Sequence, residues 1–282
     1  MAPSFGPLID AAWLADHREE PDVRVIDFRW YLDGRSGRAA YDAGHVPGAA
    51  FVDLEEVTGH ASGAGRHPLP DGPAFERAMR AAGVGRGSRV VAYDDQGGYT
   101  AARLWWLLRY FGHDAAAVLD GGIQGWRGPL TAGSEKPAAG DFLAGPPREQ
   151  LKVDYEALRE SRGDLVLLDA RAPERYRGAV EPVDPRAGHI PGARSAHYRG
   201  NLDATLRLLP AEVLRQRFAE LGVTDGSRVV AYCGSGVSAC QNLLAMEVAG
   251  LPGARLYPGS WSDWSSRPEA PAATGEESRP PA

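Results

Sequence analysis

Four blocks of sequence occur twice along the chain, in the same order and about 140 residues apart. Each pair combines apolar, strand-like runs with turn residues in matching places. The pairs are 23–27 with 165–169, 44–49 with 188–193, 87–94 with 226–233, and 119–122 with 257–260. Ordered repetition at a nearly constant spacing indicates a tandem duplication. The 282 residues are therefore expected to fold as two copies of one unit.

Apolar β-prone runs alternate with helical patterns in both copies, which predicts an α/β fold with a mostly parallel sheet flanked by helices. The predicted strands are 23–28, 50–53, 89–93, 116–119, 165–169, 194–197, 228–232 and 254–257. The predicted helices are 73–82, 100–111, 155–161, 211–221 and 238–249. Sites in such sheets lie at the carboxyl ends of the strands.

The domain boundaries follow from composition. Residues 8–127 form the first predicted domain and 152–266 the second. The stretch 128–151 is rich in Pro, Gly and Ala and is expected to be a linker. The tail 267–282 is rich in Pro, Glu and Ala and is expected to be disordered.

Charge and composition exclude several classes of partner. The formal net charge is -6 and no long basic run occurs, so nucleic acid and anionic membranes are not expected as partners. No apolar run is long enough to span a bilayer, and no targeting segment is evident. The two cysteines, Cys233 and Cys240, form neither a disulfide framework nor a zinc ligand set, so we expect no metal and a reducing cytoplasmic location.

Cys233 closes an apolar strand and opens a loop that contains Gly234 and Gly236, and a predicted helix follows. Such a loop can direct its N–H groups inward, and the helix dipole adds to them, so we expect the loop to stabilise a thiolate or an anion. Asp94 takes the place of the cysteine in the first copy. The first copy then lacks a nucleophile, and it is expected to supply one wall of a shared cleft.

Two chemistries use a cysteine in this setting. Phosphate-ester hydrolysis needs an arginine six residues after the cysteine, and Ala239 stands there, so a phosphatase is disfavoured. Sulfur transfer through a persulfide needs a reactive thiolate, a tight N–H cradle and a cation for the donor's anionic end. A third possibility is a non-catalytic module in which the thiol serves only as a redox or persulfide sensor.

The loop 233–239 resembles the active-site loop of the rhodanese superfamily. The blocks 44–49 and 188–193, and the ending 259–261 with Trp264, resemble that family's repeated signature, and the resemblance spans about 8–264. It implies a two-domain sulfurtransferase whose second domain is active, with a covalent persulfide on Cys233 and no other cofactor. Gly234 and Ser235 resemble the 3-mercaptopyruvate type, whereas the thiosulfate type, which stays as the alternative, carries Arg and Lys there.

The resemblance also implies roles for individual residues. Cys233 would be the nucleophile, and Ser235, His67 and Glu55 would form a relay that spans the two domains. Arg175 would bind the donor carboxylate, and Arg186 would be a second anion clamp. The remaining loop residues that would contact the substrate are Gly234, Gly236, Val237 and Ser238, and the last is also expected to cap the helix.

The implied partners are a small anionic sulfur donor and an acceptor. The acceptor would be a thiol, such as thioredoxin or a low-molecular-weight thiol, or cyanide. Four polar residues that recur in both copies are expected to stabilise the fold rather than to react: His45, His189, Asp27 and Asp169. Cys240 is expected to be a core residue, with a regulatory disulfide to Cys233 as the alternative.

Overall fold

The computed structural model describes residues 5–60, 65–161 and 165–276. The chain forms two compact units. The first comprises residues 1–59, 69–148 and 202–208, and the second comprises 60–68, 149–201 and 209–282. The predicted boundaries were continuous, so the structure corrects them: a short segment from each half of the sequence belongs to the unit built mainly from the other half.

The first unit contains a five-stranded parallel sheet in the order β1-β5-β4-β2-β3. Its central strand β4 is an apolar run whose last four residues are buried, as both faces of the sheet are covered. The strands are β1 (Leu8–Ile9), β2 (Val23–Asp27), β3 (Ala50–Phe51), β4 (Arg89–Tyr93) and β5 (Ala116–Leu119). The helices are α1 (Ala11–His17), α2 (Gly37–Ala43), α3 (Gly72–Ala81), α4 (Ala101–Tyr110) and α5 (Gly122–Gly125), with a 3-10 helix at Leu54–Val57.

The second unit contains a four-stranded parallel sheet in the order β7-β6-β8-β9. A bridge from Lys152 to Leu256 takes the place that β1 holds in the first sheet. The strands are β6 (Val166–Asp169), β7 (Arg194–Ser195), β8 (Val229–Tyr232) and β9 (Arg255–Leu256). The helices are α6 (Tyr155–Ser161), α7 (Pro173–Tyr176), α8 (Ala211–Glu220), α9 (Ala239–Val248) and α10 (Ser260–Ser266), and 3-10 helices lie at Glu149–Leu151, Tyr198–Asn201 and Gly226–Arg228.

Both units use the same buried ion pair at the end of one strand. Asp27 binds the guanidinium of Arg29, which also donates to the carbonyl of Gly44. In the second unit Asp169 binds Arg171, which donates to the carbonyl of Gly188. Each arginine thus holds the loop before the His-(Val/Ile)-Pro-Gly block, and the structural roles predicted for both aspartates are confirmed.

The two repeated histidines have equivalent surroundings. The Nδ1 atom of His45 lies 3.0 Å from the carbonyl oxygen of Tyr41, and that of His189 lies 2.7 Å from the carbonyl of Tyr176. Each ring also stacks on the same tyrosine, with ring centroids 3.9 and 3.8 Å apart. Their stabilising role is confirmed, since both are fully buried and both lie in the same place in the repeat.

The stretch predicted to be a linker belongs to the first unit up to residue 148, and the predicted tail, as far as residue 276, belongs to the second. In the predicted linker, Thr131 pairs with His45 and Phe142 is buried. The predicted tail makes the equivalent pairing, because Ala273 bridges to His189. Trp264 donates its indole N–H to the carbonyl of Pro271. The prediction of disorder is therefore wrong for residues 267–276, and residues 277–282 lie outside the described part of the chain.

Candidate active site

Cys233 directly follows strand β8 and is 2 % exposed. Its backbone N–H donates to the hydroxyl of Ser260, and its carbonyl accepts from the N–H of Trp261. Ser260 has a φ of 54°, in the left-handed region that non-glycine residues rarely adopt. Its hydroxyl also donates to the carbonyl of Tyr257. The start of α10 therefore fixes the backbone of the cysteine at two points.

Two glycines let the loop turn tightly around the cysteine. Gly236 has a φ of 77°, and a β-carbon there would lie 2.6 Å from the carbonyl oxygen of Pro258. A β-carbon on Gly234 would lie 2.8 Å from Nη2 of Arg66 and 3.7 Å from Nη1 of Arg175. Two guanidinium groups thus meet over the residue that follows the cysteine.

The first unit shows what this loop can hold. The buried carboxylate of Asp94 accepts hydrogen bonds from four backbone N–H groups at 2.7–2.9 Å. The donors are Gln96, Gly98, Thr100 and Ala101. In the repeat their counterparts are Ser235, Val237, Ala239 and Cys240, and Cys233 takes the place of the aspartate. The loop geometry is thus suited to a negative charge at the side chain of this position.

A serine–histidine pair lies beside the cysteine. Nδ1 of His67 is 2.7 Å from the hydroxyl oxygen of Ser235, and both residues are buried. His67 belongs to the segment 60–68, which is part of the second unit. The structure thus brings two of the three predicted relay residues together.

Glu55, the third predicted relay residue, lies in the first unit within the 3-10 helix Leu54–Val57. Its side chain is exposed, and its backbone N–H donates to the carboxylate of Asp53. Its part in the relay stays a prediction.

A ladder of alternating charges runs from the core to the loop. We call it the charge ladder; its members, in order of contact, are Asp169, Arg171, Glu181, Arg175, Asp184 and Arg66. Arg175 donates through Nη2 to Glu181 at 2.6 Å and to Asp184 at 3.0 Å, and Arg66 pairs with the other oxygen of Asp184. Three guanidinium groups face three carboxyl groups, so the fully ionised ladder has no net charge.

The charge ladder is most exposed at its last member, Arg66. The side chain of Asp184 is 1 % exposed and that of Arg66 is 29 % exposed. Burial raises the pKa of Asp184, and the charge of Glu181 adds to the shift, whereas Arg66 and Arg175 oppose it. Asp184 therefore takes up a proton at a higher pH than an exposed aspartate would.

Two predicted roles are corrected. The guanidinium of Arg186 donates to four backbone carbonyls at the end of α10 and beyond, at 2.8–3.0 Å. It fixes the chain after the helix and is not available as the second anion clamp. Ser238 stands at the start of α9, but its side chain makes no capping hydrogen bond. Its hydroxyl is buried, as is the side chain of Val237.

Three residues that the sequence did not single out contribute to the site: Arg66, Asp184 and Ser260. Arg66 immediately precedes His67 in the chain, and its N–H donates to the hydroxyl of Ser262. The one available signal was for Ser260, which stands where the first copy has Gly122 at a φ of 56°. A serine in a place that suits glycine indicates a function for the hydroxyl.

No disulfide joins Cys233 and Cys240. Cys240 is fully buried, and its sulfur lies 3.4 Å from the carbonyl oxygen of Gly236. Across the ranges that the structure describes, no cluster of three or more His, Cys, Asp or Glu side chains could hold a metal ion. Within the same ranges, none of the helices has the length and apolar character needed to cross a bilayer.

Known proteins resemble the chain over nearly its whole length. It is 45 % identical to a Pseudomonas aeruginosa protein provisionally named 3-mercaptopyruvate sulfurtransferase, over 97 % of this chain and 100 % of the relative. It is 42 % identical to a Mycobacterium tuberculosis protein provisionally named thiosulfate sulfurtransferase, over 95 % and 97 %. A crystal structure from Escherichia coli, described as a 3-mercaptopyruvate sulfotransferase with the rhodanese fold, superimposes with a TM-score of 0.80 at 32 % identity, covering 90 % of this chain and 98 % of that one.

The sequence matches the family model of the rhodanese-like domain twice, at residues 10–128 and 153–267. These two matches coincide with the two halves of the duplication, and together they cover most of the chain. The protein therefore belongs to the rhodanese-like family, as a tandem pair of rhodanese domains.

Proposed function

We propose that the protein is a sulfurtransferase that takes sulfur from 3-mercaptopyruvate, releases pyruvate, and passes the sulfur to a thiol or to cyanide through a persulfide on Cys233. The observation that carries the proposal is the meeting of Arg66 and Arg175 over Gly234, beside the cysteine. Planar guanidinium groups bind a carboxylate through paired hydrogen bonds. The donor's carboxylate would be held there while its sulfur faces the thiolate.

In the first half-reaction the Cys233 thiolate attacks the thiol sulfur of the donor. A sulfur–sulfur bond forms, the carbon–sulfur bond breaks, and its electron pair leaves on the pyruvate enolate, which takes up a proton at carbon. The hydrogen-bonded pair of Ser235 and His67 would donate and accept the protons of this step. Glu55 is proposed as the acid of this relay, as the family resemblance implies.

In the second half-reaction an acceptor thiolate or cyanide attacks the outer sulfur of the persulfide. The new bond forms to the acceptor, and the electron pair of the sulfur–sulfur bond returns to Cys233. Thioredoxin, a low-molecular-weight thiol and cyanide are the proposed acceptors. No metal or organic cofactor takes part, and a reducing compartment such as the cytoplasm would keep the thiol available.

Steady-state kinetics with the purified chain test the proposal. Pyruvate release from 3-mercaptopyruvate should show double-displacement behaviour with any of these acceptors. Arg175→Gln should raise the KM for the donor, and Asp16→Asn, an exposed change in α1, should not. A chain that releases no pyruvate with any acceptor would contradict the proposal.

The second candidate is transfer of sulfur from thiosulfate, which the name of the M. tuberculosis relative favours. The neutral loop residues Gly234 and Ser235 argue against it, since they add no cation for a dianionic donor. A kcat/KM for thiosulfate well above that for 3-mercaptopyruvate would reverse the order of the two candidates.

A further inference from the structure

Asp184 occupies a central place in the charge ladder. One of its carboxylate oxygens pairs with Arg66 and the other with Arg175, the two cations that lie over Gly234. Both arginines use only part of their guanidinium groups for this contact: Nη2 of Arg66 and Nη1 of Arg175 are the atoms nearest to the loop glycine. The cations that would hold a substrate anion are therefore already bridged by an anion of the protein.

Asp184 is held in this bridge by its own segment. Its backbone N–H donates to the carboxylate of Glu181, as does that of Val183. Glu181 in turn binds Arg171 and Arg175. Glu181 thus holds the backbone of Asp184 in the position from which its carboxylate bridges the two arginines.

We propose that Asp184 determines donor selectivity: by cancelling one positive charge between Arg66 and Arg175, it makes the anion site favour monoanionic over dianionic ligands. The fully ionised ladder has no net charge, so a bound carboxylate leaves the site with one negative charge and a dianion leaves it with two. The cost of burying charge rises with its magnitude, and the neighbouring thiolate repels a dianion more strongly. The inference rests on the proposed function only for the identity of the donors.

Anion binding tests the inference without any turnover. Pyruvate and sulfate serve as unreactive monoanion and dianion, and calorimetry gives the dissociation constant of each. Asp184→Asn removes one negative charge at nearly constant shape. It should tighten sulfate binding about tenfold and pyruvate binding about threefold, because the interaction scales with the charge of the ligand. The sulfate preference then rises about threefold.

Arg66→Gln provides a second variant with the opposite expected sign. It removes a positive charge from a part-exposed side chain, so the fold should persist, and the sulfate preference should fall about threefold. Asp16→Asn is the matched control, because it makes the same chemical change as Asp184→Asn on an exposed helix position of the first unit. It should leave the preference unchanged.

The kcat/KM ratio for thiosulfate over 3-mercaptopyruvate should move in the same directions as the binding preference. Opposite shifts in the Asp184 and Arg66 variants support the inference, since a loss of local structure would move both variants in one direction. Equal preferences in the parent and Asp184→Asn proteins, or shifts of the same sign in both variants, would overturn it. If the variants shift anion binding as expected but the parent protein turns over neither donor, the result would contradict the proposed function and leave the inference about Asp184 intact.

Discussion

Ser260 has a strained backbone conformation, and its hydroxyl accepts a hydrogen bond from the N–H of Cys233. The first copy has a glycine in this place and reaches nearly the same φ. A positive φ costs a non-glycine residue about 1 kcal/mol. The hydroxyl therefore offsets a conformational cost that the first copy avoids, and it does so at the nucleophile.

Two variants at Ser260 separate the cost of the positive φ from the benefit of the hydrogen bond to the hydroxyl. Ser260→Ala keeps the strain and leaves the Cys233 N–H without its partner, so the free energy of unfolding should fall by about 1–3 kcal/mol. Ser260→Gly loses the same bond but relieves the strain, and it should be more stable than the alanine variant by about 1 kcal/mol. Urea unfolding measures both.

Activity distinguishes positioning from stability. If the hydroxyl positions Cys233, kcat should fall similarly in both Ser260 variants although their stabilities differ. Ser266→Ala, which removes another serine hydroxyl from the same helix, serves as the control. A Ser260→Gly protein with full kcat would show that the hydroxyl has no positioning role.

The carboxylate of Asp94 is the counterpart of Cys233 in the first unit, and it satisfies four backbone N–H groups. Asp94→Ala should destabilise this unit by about 3–4 kcal/mol, at roughly 1 kcal/mol for each buried donor left unpaired. Hydrogen exchange over residues 94–101 should accelerate.

The neighbouring Asp95 offers a matched control. It accepts one side-chain hydrogen bond, from Tyr31, so Asp95→Ala should cost about 1 kcal/mol. Equal losses in the two variants would mean that the N–H cradle does not stabilise the anion.

At the scale of elements, the segment from α7 to residue 184 carries three of the six members of the charge ladder, Arg175, Glu181 and Asp184. Burial raises the pKa of Asp184, and the charged groups that face it are Arg66, Arg175, Glu181 and Arg171. As the pH falls through this raised pKa, Asp184 becomes neutral and the ladder gains one positive charge. The ratio of kcat/KM for thiosulfate over 3-mercaptopyruvate should therefore rise as the pH falls.

The contribution of Asp184 to folding stability should also be larger at low pH. Because folding raises the pKa of Asp184, its protonated form is favoured in the folded state, and this contribution is lost as the pH rises through the folded value. In Asp184→Asn the ratio of kcat/KM for thiosulfate over 3-mercaptopyruvate should stay constant over the pH range in which it changes for the parent. A parallel change in that variant would mean that another group titrates.

At the scale of the whole molecule, the duplication accounts for most of what could be predicted. The sheets, the main helices and the site loop follow from apolar runs and glycines that occur twice. The predicted strand 89–93 and helix 155–161 match the structure residue for residue. Strands β3, β7 and β9 are only two residues long, because their pairing rather than their sequence sets their ends.

What could not be predicted depends on contacts between residues distant in sequence. Composition suggested that 267–276 has no structure, but Arg186, about 80 residues earlier, binds its carbonyls. The same contact explains why Arg186 is not an anion clamp. Arg66 could not be predicted as a site residue, because nothing in its local sequence shows that it lies over Gly234.

Ending the chain at Ser266 tests the role of the segment that follows α10. The truncation removes the strand bridge to His189 and two carbonyl partners of Arg186, so the second unit should melt at a lower temperature. Arg186→Lys keeps the charge and loses the planar fork, and it should lower the melting temperature by a smaller amount without changing the donor ratio. An unchanged melting temperature in both would mean that these contacts do not stabilise the unit.

The most direct test of the central claim is the mass of the protein after brief treatment with 3-mercaptopyruvate and removal of the excess donor. The account predicts that the chain gains one sulfur atom, that peptide mapping places it on Cys233, and that a thiol acceptor removes it. Cys240→Ser should gain the sulfur as the parent does, and Cys233→Ser should gain none. A parent protein that gains no sulfur, or a Cys233→Ser protein that still does, would contradict the account.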